Sequence, residues 1–175
     1  MHKANNFILT DGLFLREVRA VAKAYPEVAL EERIVDAMAA LLVRDAARFD
    51  VIVSTNLYCD ILSDLASELS GSLGLAGSIN AGTDLVAAQA QHGSAPDIAG
   101  QDKANPASLI LSAAMMLDWL GEKRGLAACR AAAAAIEGAI DRTLAAPATR
   151  TADLGGPLGT QAFAESIAAT LEAGG

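Results

Sequence analysis

The run Phe49-Asp50-Val51-Ile52-Val53-Ser54 limits the possible folds of this chain more than any other stretch. It is short, apolar and β-branched at its centre. Such a run reads as a buried strand, because it has no polar face to give to water. Helical patterns flank it: Asp36 opens one helix toward Arg44, and another runs from about Asp60 to Ser70. Strands alternating with helices make α/β the expected class. Further strands are expected at residues 7–9 and from Val28 to Val35. Thr10-Asp11-Gly12 offers a cap for a helix through about Ala24, which Tyr25-Pro26 stops.

Downstream, residues 71–82 are rich in Gly and Ser and read as loop with one short strand. Residues 92–106 form a second loop. Asn105-Pro106 starts a helix to about Leu120, with proline tolerated in the first turn. A long helix covers Leu126 to Leu144, residues 151–159 are loop, and a last helix spans Thr160 to about Leu171. No internal repeat is visible.

With 53% hydrophobic and 19% charged residues in a chain of 175, one sizeable core is expected and disorder is not. The formal net charge of −8 argues against a nucleic-acid or anionic-membrane surface. No apolar run reaches the 18 or so residues of a membrane span, and Met1-His2-Lys3-Ala4-Asn5-Asn6 does not read as a signal peptide. Two cysteines, Cys59 and Cys129, give neither a disulfide framework nor a zinc spacing. A reducing cytoplasm is the expected location.

Asp60 and Asp64 are four apart in a helical segment, so they share a face. Two carboxylates about 4 Å apart repel by roughly 1 kcal/mol in water and about 4 kcal/mol at an effective dielectric near 20. Solvent exposure, the helix dipole or a bound cation can compensate. Mg²⁺ or Mn²⁺ suits such oxygen ligands and leaves positions for water and substrate. Asp36 also begins a helix after an apolar run.

The segment His92-Gly93-Ser94-Ala95-Pro96-Asp97-Ile98-Ala99-Gly100 is the second chemical feature. Gly93, Pro96 and Gly100 suit a tight loop whose backbone can approach a ligand. His92 can stack on or hydrogen-bond a base, or serve only structure. The Asp97 carboxylate can accept from ribose hydroxyls and would repel a 2′-phosphate, the logic that separates NAD from NADP in Rossmann folds.

These segments, with His2-Lys3-Ala4-Asn5 and Leu9-Thr10-Asp11-Gly12-Leu13-Phe14, resemble the metal-dependent β-decarboxylating dehydrogenases of 2-hydroxy acids. That family comprises the isocitrate, homoisocitrate and isopropylmalate dehydrogenases. His2 and Thr10-Asp11-Gly12 look more like the isocitrate and homoisocitrate branches than the isopropylmalate one, and with Asp97 the resemblance is nearest to the NAD-dependent isocitrate branch. The resemblance implies a non-Rossmann fold, a mixed sheet flanked by helices, of which this chain is the second half. Residues 1–50 would belong to the small dimer-interface domain and 51–175 to the large nucleotide-binding domain. It implies Lys3 as the catalytic lysine and Asp36, Asp60 and Asp64 as metal ligands, with Asp36 supplied across a dimer interface. It implies a coenzyme site of His92, Gly93, Ser94, Ala95, Asp97, Ile98 and Asn105, with Asn105 on the adenine. The expected reaction is NAD- and Mg²⁺- or Mn²⁺-dependent oxidative decarboxylation of a 2-hydroxy acid, isocitrate before homoisocitrate or isopropylmalate. The expected partners are a second copy of the chain, the missing N-terminal half, or both. The alternative is a truncated or regulatory subunit that binds nucleotide or a partner without chemistry.

The chain departs from the family pattern at Cys59, where relatives carry glycine, and at Gln89, where they carry glutamate. Val86-Ala87-Ala88-Gln89-Ala90-Gln91 replaces the usual leucine-rich or aromatic approach to the coenzyme loop.

Overall fold

The computed structural model describes residues 1–174. They form two compact units, Met1–Leu69 and a second beginning at Ser70. Six α-helices and one antiparallel hairpin make up the regular structure of the described residues, together with short 3₁₀ turns. The α/β class is observed, but the expected mixed sheet is represented only by that hairpin.

The first unit contains α1 (Thr10–Ala22) and α2 (Val35–Asp45), and α3 (Asn56–Ser70) runs to its boundary. Val35, Met38, Ala39 and Leu42 recur on α2 at the spacing of one helical face, and they pack with Leu62 and Leu65 of α3. Met1, Phe49 and Ile52 complete this small core.

None of the three strands expected in this unit forms. At residues 7–9 the backbone is taken up locally: the amides of Asn6 and Phe7 donate to the Lys3 carbonyl, and Asp11 N donates to the Phe7 carbonyl. From Val28 to Val35 the only pairing is a parallel bridge of His2 with Ile34. Phe49–Ser54 is the clearest correction. Ile52 faces the core, whereas Val51 and Val53 are 80% and 53% exposed. Apolar β-branched residues favour a pleated, half-buried surface, but a strand also needs a neighbouring backbone to satisfy its amides and carbonyls. Among the described residues the main contact of that kind is the Met1 ammonium donating to the Val53 carbonyl at 2.8 Å.

In the second unit β1 (Gly77–Ala81) and β2 (Val86–Ala90) pair from Gly77 opposite Ala90 to Ala81 opposite Val86. The hairpin lies on α4 (Ala107–Arg124), which packs on α5 (Ala127–Ala145), and α5 packs on α6 (Thr160–Ala173). The core joins Ala107 to Ala139, Ile140, Phe163 and Ile167. Phe163 is the largest side chain fully removed from water.

Two serines join hairpin to helix. Ser112 Oγ accepts from Ser78 N at 2.9 Å and lies 2.7 Å from the Gln89 carbonyl. Ser108 Oγ accepts from Gln91 N at 3.2 Å and donates to the Ala76 carbonyl. Both serines are fully buried, and their hydroxyls satisfy half-buried backbone groups in and beside the hairpin. They also fix the point where the chain leaves β2 for the loop at His92.

Candidate active site

The residues expected to serve one reaction divide between the units: Lys3, Asp36, Asp60 and Asp64 belong to the first, and residues 92–105 to the second.

In the first unit, Lys3 Nζ lies 2.8 Å from Asp36 Oδ1. The lysine side chain is 21% exposed and the aspartate 62%. The hydrogen bond from Lys3, with smaller help from the backbone N–H groups at the start of α2, holds the Asp36 carboxyl below the ordinary aspartate range. The Lys3 segment is held in turn by its own backbone, because Lys3 N donates to Asp11 Oδ2. Asp11 was expected to help cap α1. Instead α1 starts at Thr10 without a side-chain cap, and the Asp11 carboxylate is buried against the Lys3 backbone. Partial desolvation and a hydrogen bond with Asp11 push the Tyr58 hydroxyl up, which ties α3 to the same anchor.

Asp60 and Asp64 both lie on α3, exposed, one turn apart. Asp60 Oδ2 accepts from Asn56 Nδ2 at 3.0 Å. Among the described residues no group of three His, Cys, Asp or Glu side chains converges to hold a metal ion. Within one chain, then, the structure puts Asp60 and Asp64 on a shared face but occupies Asp36 with Lys3.

In the second unit, the loop after β2 turns through Ala95, whose φ of 42° is a left-handed conformation rare for a residue with a Cβ. Such strain persists only where surrounding structure imposes it, and it gathers at ligand sites. A single 3₁₀ turn, Pro96–Ile98, follows, and Ile98 N donates to the Ala95 carbonyl at 3.1 Å. Gly100 has φ +72°, so its glycine is a conformational need, whereas a side chain at Gly93 would meet open space. His92 is exposed, with Nδ1 2.9 Å from the Gly93 carbonyl. Asp97 is exposed too, and Gln101 Nε2 binds its backbone oxygen at 2.7 Å. Ser94 is likewise at the surface.

Asn105 differs from the rest of the loop in being buried, at 7% exposure. Its Oδ1 accepts from Ala107 N at 3.0 Å in an Asx-type turn into α4, and its Nδ2 donates to Asp153 Oδ2 at 3.0 Å. Ser72 Oγ donates to the same carboxylate oxygen. Partial burial would raise the Asp153 pKa, but the hydrogen bonds from Ser72 and Asn105 prevail and hold it below the ordinary range. Neither Ser72 nor Asp153 stands out in the sequence, because the group is built from three segments far apart along it. The open groove lined by Asp118, Arg130 and Glu137 on α4 and α5 contains none of the loop residues.

The model of the isocitrate/isopropylmalate dehydrogenase family matches residues 1–167. The chain is 52% identical over 171 residues to an isocitrate/homoisocitrate dehydrogenase of Thermus thermophilus, covering 98% of this chain and 49% of that protein. It is 49% identical over 168 residues to a mitochondrial NAD isocitrate dehydrogenase catalytic subunit of Arabidopsis thaliana, covering 95% of this chain and 43% of the relative. The crystal structure of isocitrate dehydrogenase from Methylococcus capsulatus superposes with a TM-score of 0.89 at 45% identity, over 97% of this chain and 49% of that one. The chain thus spans about half the length of the relatives it matches.

Proposed function

Because this chain belongs to the isocitrate/isopropylmalate dehydrogenase family, we propose that it is the half of such an enzyme that binds coenzyme and metal. Joined to a complementary N-terminal half, it would oxidise and decarboxylate a 2-hydroxy-3-carboxy acid, isocitrate first, with homoisocitrate and isopropylmalate behind. The observation that carries this reading is Lys3 Nζ at 2.8 Å from Asp36 Oδ1. It sets a proton carrier beside a carboxylate able to hold a hard cation.

The exposed Asp60 and Asp64 carboxylates supply hard oxygen donors with room for other ligands, which fits Mg²⁺ or Mn²⁺. Asp36 of a second copy would complete the set, which makes a homodimer part of the proposal. Once bound, the cation would lower the pKa of the substrate hydroxyl and offset negative charge developing on substrate oxygens, while NAD⁺ takes the hydride. Lys3 would hold and pass on the hydroxyl proton at Nζ. His92, Gly93, Ser94, Ala95, Asp97, Ile98 and Asn105 would bind the adenosine end, with Asp97 on the ribose. The free Cys59 and Cys129 fit a cytoplasmic setting.

The deciding experiment measures NADH formation from isocitrate with Mn²⁺. The 175-residue chain alone should give none, and addition of an N-terminal half from a relative should restore it. A metal-dependent rate from the chain alone, or none after a complex has demonstrably formed, would count against the reading.

A second reading starts from the pairing of Asp36 with Lys3, which withholds that carboxylate from a metal. The chain would then be a non-catalytic subunit that binds nucleotide. Calorimetry separates the two: NAD⁺ binding without Mn²⁺ binding, in the dimer and in the complemented assembly, supports the non-catalytic role.

A further inference from the structure

Helix α6 begins without a cap of its own. Gly159 occupies the capping position and has no side chain to offer. The first backbone N–H groups of a helix have no partner within it, so another group must take them. Here one distant residue takes two. Thr160 N donates to the Asp102 carbonyl at 3.1 Å, and Gln161 N donates to Asp102 Oδ1 at 2.9 Å. The Thr160 hydroxyl donates in turn to the Ala104 carbonyl. The approach is close enough to require glycine at 159, since a Cβ there would lie 2.6 Å from the Asp102 carbonyl oxygen. The start of α6 therefore grips the coenzyme loop just before Asn105.

The grip falls on a strained backbone. Among the described residues, Ala95 and Asp102 alone combine a side chain with a left-handed φ, of 42° and 53°. They stand on either side of the turn that carries Asp97 and Ile98. Such conformations persist only where neighbours impose them. At Asp102 the neighbours are the two α6 amides that bind its carbonyl and its side chain. We propose that Asp102 is a positioning residue for coenzyme binding: by capping α6 from outside the helix, it holds residues 92–105 in their binding shape before the dinucleotide arrives. This role rests on the reading of residues 92–105 as the adenosine site. Affinity scales with the fraction of free protein already in the binding shape. Releasing the clamp therefore weakens NAD⁺ without removing a group that touches it.

Asp102 is exposed, and its replacement removes no core packing. The test measures NAD⁺ binding by calorimetry, and amide exchange across residues 92–105, on the full chain. Asp102→Asn keeps an oxygen acceptor and tolerates a left-handed φ, so affinity should stay within about twofold of wild type. Asp102→Gly accepts that φ but has no side-chain acceptor. NAD⁺ should weaken by roughly fivefold, the weight of one hydrogen bond. Loop exchange should quicken, and saturating NAD⁺ should slow it again. Thr160→Val removes the bond to Ala104 from the α6 side, leaves the loop sequence untouched, and should act in the same direction. Wild-type affinity and loop exchange in Asp102→Gly would overturn the proposal. So would a loss in Asp102→Asn equal to that in Asp102→Gly. A lower melting temperature in Asp102→Gly and Thr160→Val with unchanged Kd would also overturn it, because that marks residues serving only the fold. Failure of wild type to bind NAD⁺ would instead remove the adenosine-site reading, and loop exchange alone would then report whether the clamp exists.

Discussion

Lys3 and Asp36 neutralise each other across the start of α2, with Nζ 2.8 Å from Oδ1. One is the candidate proton carrier and the other the candidate metal ligand, so a cation that recruits Asp36 must displace an ammonium. The pair has a pH signature. The folded pKa of Asp36 is depressed, so the interaction is present above the unfolded aspartate value and is lost as pH falls through the lower folded value. Carbon-detected NMR titration should place the Asp36 midpoint below an ordinary aspartate in wild type and near it in Lys3→Met. An unshifted midpoint in wild type would show that the pair does not persist in solution.

The same competition separates metal binding from chemistry. In the complemented assembly, Lys3→Met should leave Mn²⁺ binding intact or tighter, because Asp36 is released, while isocitrate oxidation falls by about 10²- to 10⁴-fold. Asp60→Asn and Asp64→Asn should each weaken Mn²⁺ by at least about tenfold, since even residues behind metal ligands have effects of that size. Calorimetry and initial rates on one set of proteins check both halves of the statement. Equal losses of metal affinity in Lys3→Met and Asp60→Asn would deny the division of labour.

How much of this was legible in the chain depends on whether a signal is local. The helices α2, α4, α5 and α6 follow their apolar spacing, and the turn of residues 92–100 follows Gly100 and Pro96. The strand expected at Phe49–Ser54 does not form, because its neighbours would have to come from elsewhere and propensity alone cannot supply them. β2 escaped notice for the opposite reason: Val86–Ala90 is mostly alanine, and pairing with β1 overrides its helical preference. Asp11, Ser72 and Asp153 were invisible as site residues because each acts on a partner brought near by folding.

Asp97 offers a direct test of coenzyme choice. Its side chain is exposed, and only its backbone oxygen is used by Gln101. Replacing it should therefore cost little stability. Asp97→Lys with Ile98→Tyr, in the complemented enzyme, should exchange repulsion of a 2′-phosphate for attraction. The ratio of kcat/KM for NADP⁺ to that for NAD⁺ should rise at least about tenfold, a change of roughly 1.4 kcal/mol. An unchanged ratio with intact activity would move the ribose away from this residue.

Ser112 tests how the scaffold supports the loop. Its hydroxyl is fully buried, accepts from Ser78 N at 2.9 Å and stands 2.7 Å from the carbonyls of Gln89 and Ser108. Ser112→Ala leaves the half-buried Ser78 amide without its acceptor. That should cost about 1–3 kcal/mol, the usual penalty for a buried donor left unsatisfied. Thermal unfolding reads the loss, and hydrogen exchange locates it. Exchange should quicken first at Ser78, and then at Gln91, whose amide hangs on the neighbouring Ser108 hydroxyl at 3.2 Å. Because the loop at His92 begins there, NAD⁺ affinity should fall along with hairpin protection. Lower thermal stability with unaltered exchange at both amides would mean that the serine supports helix packing and not the strands that carry the loop.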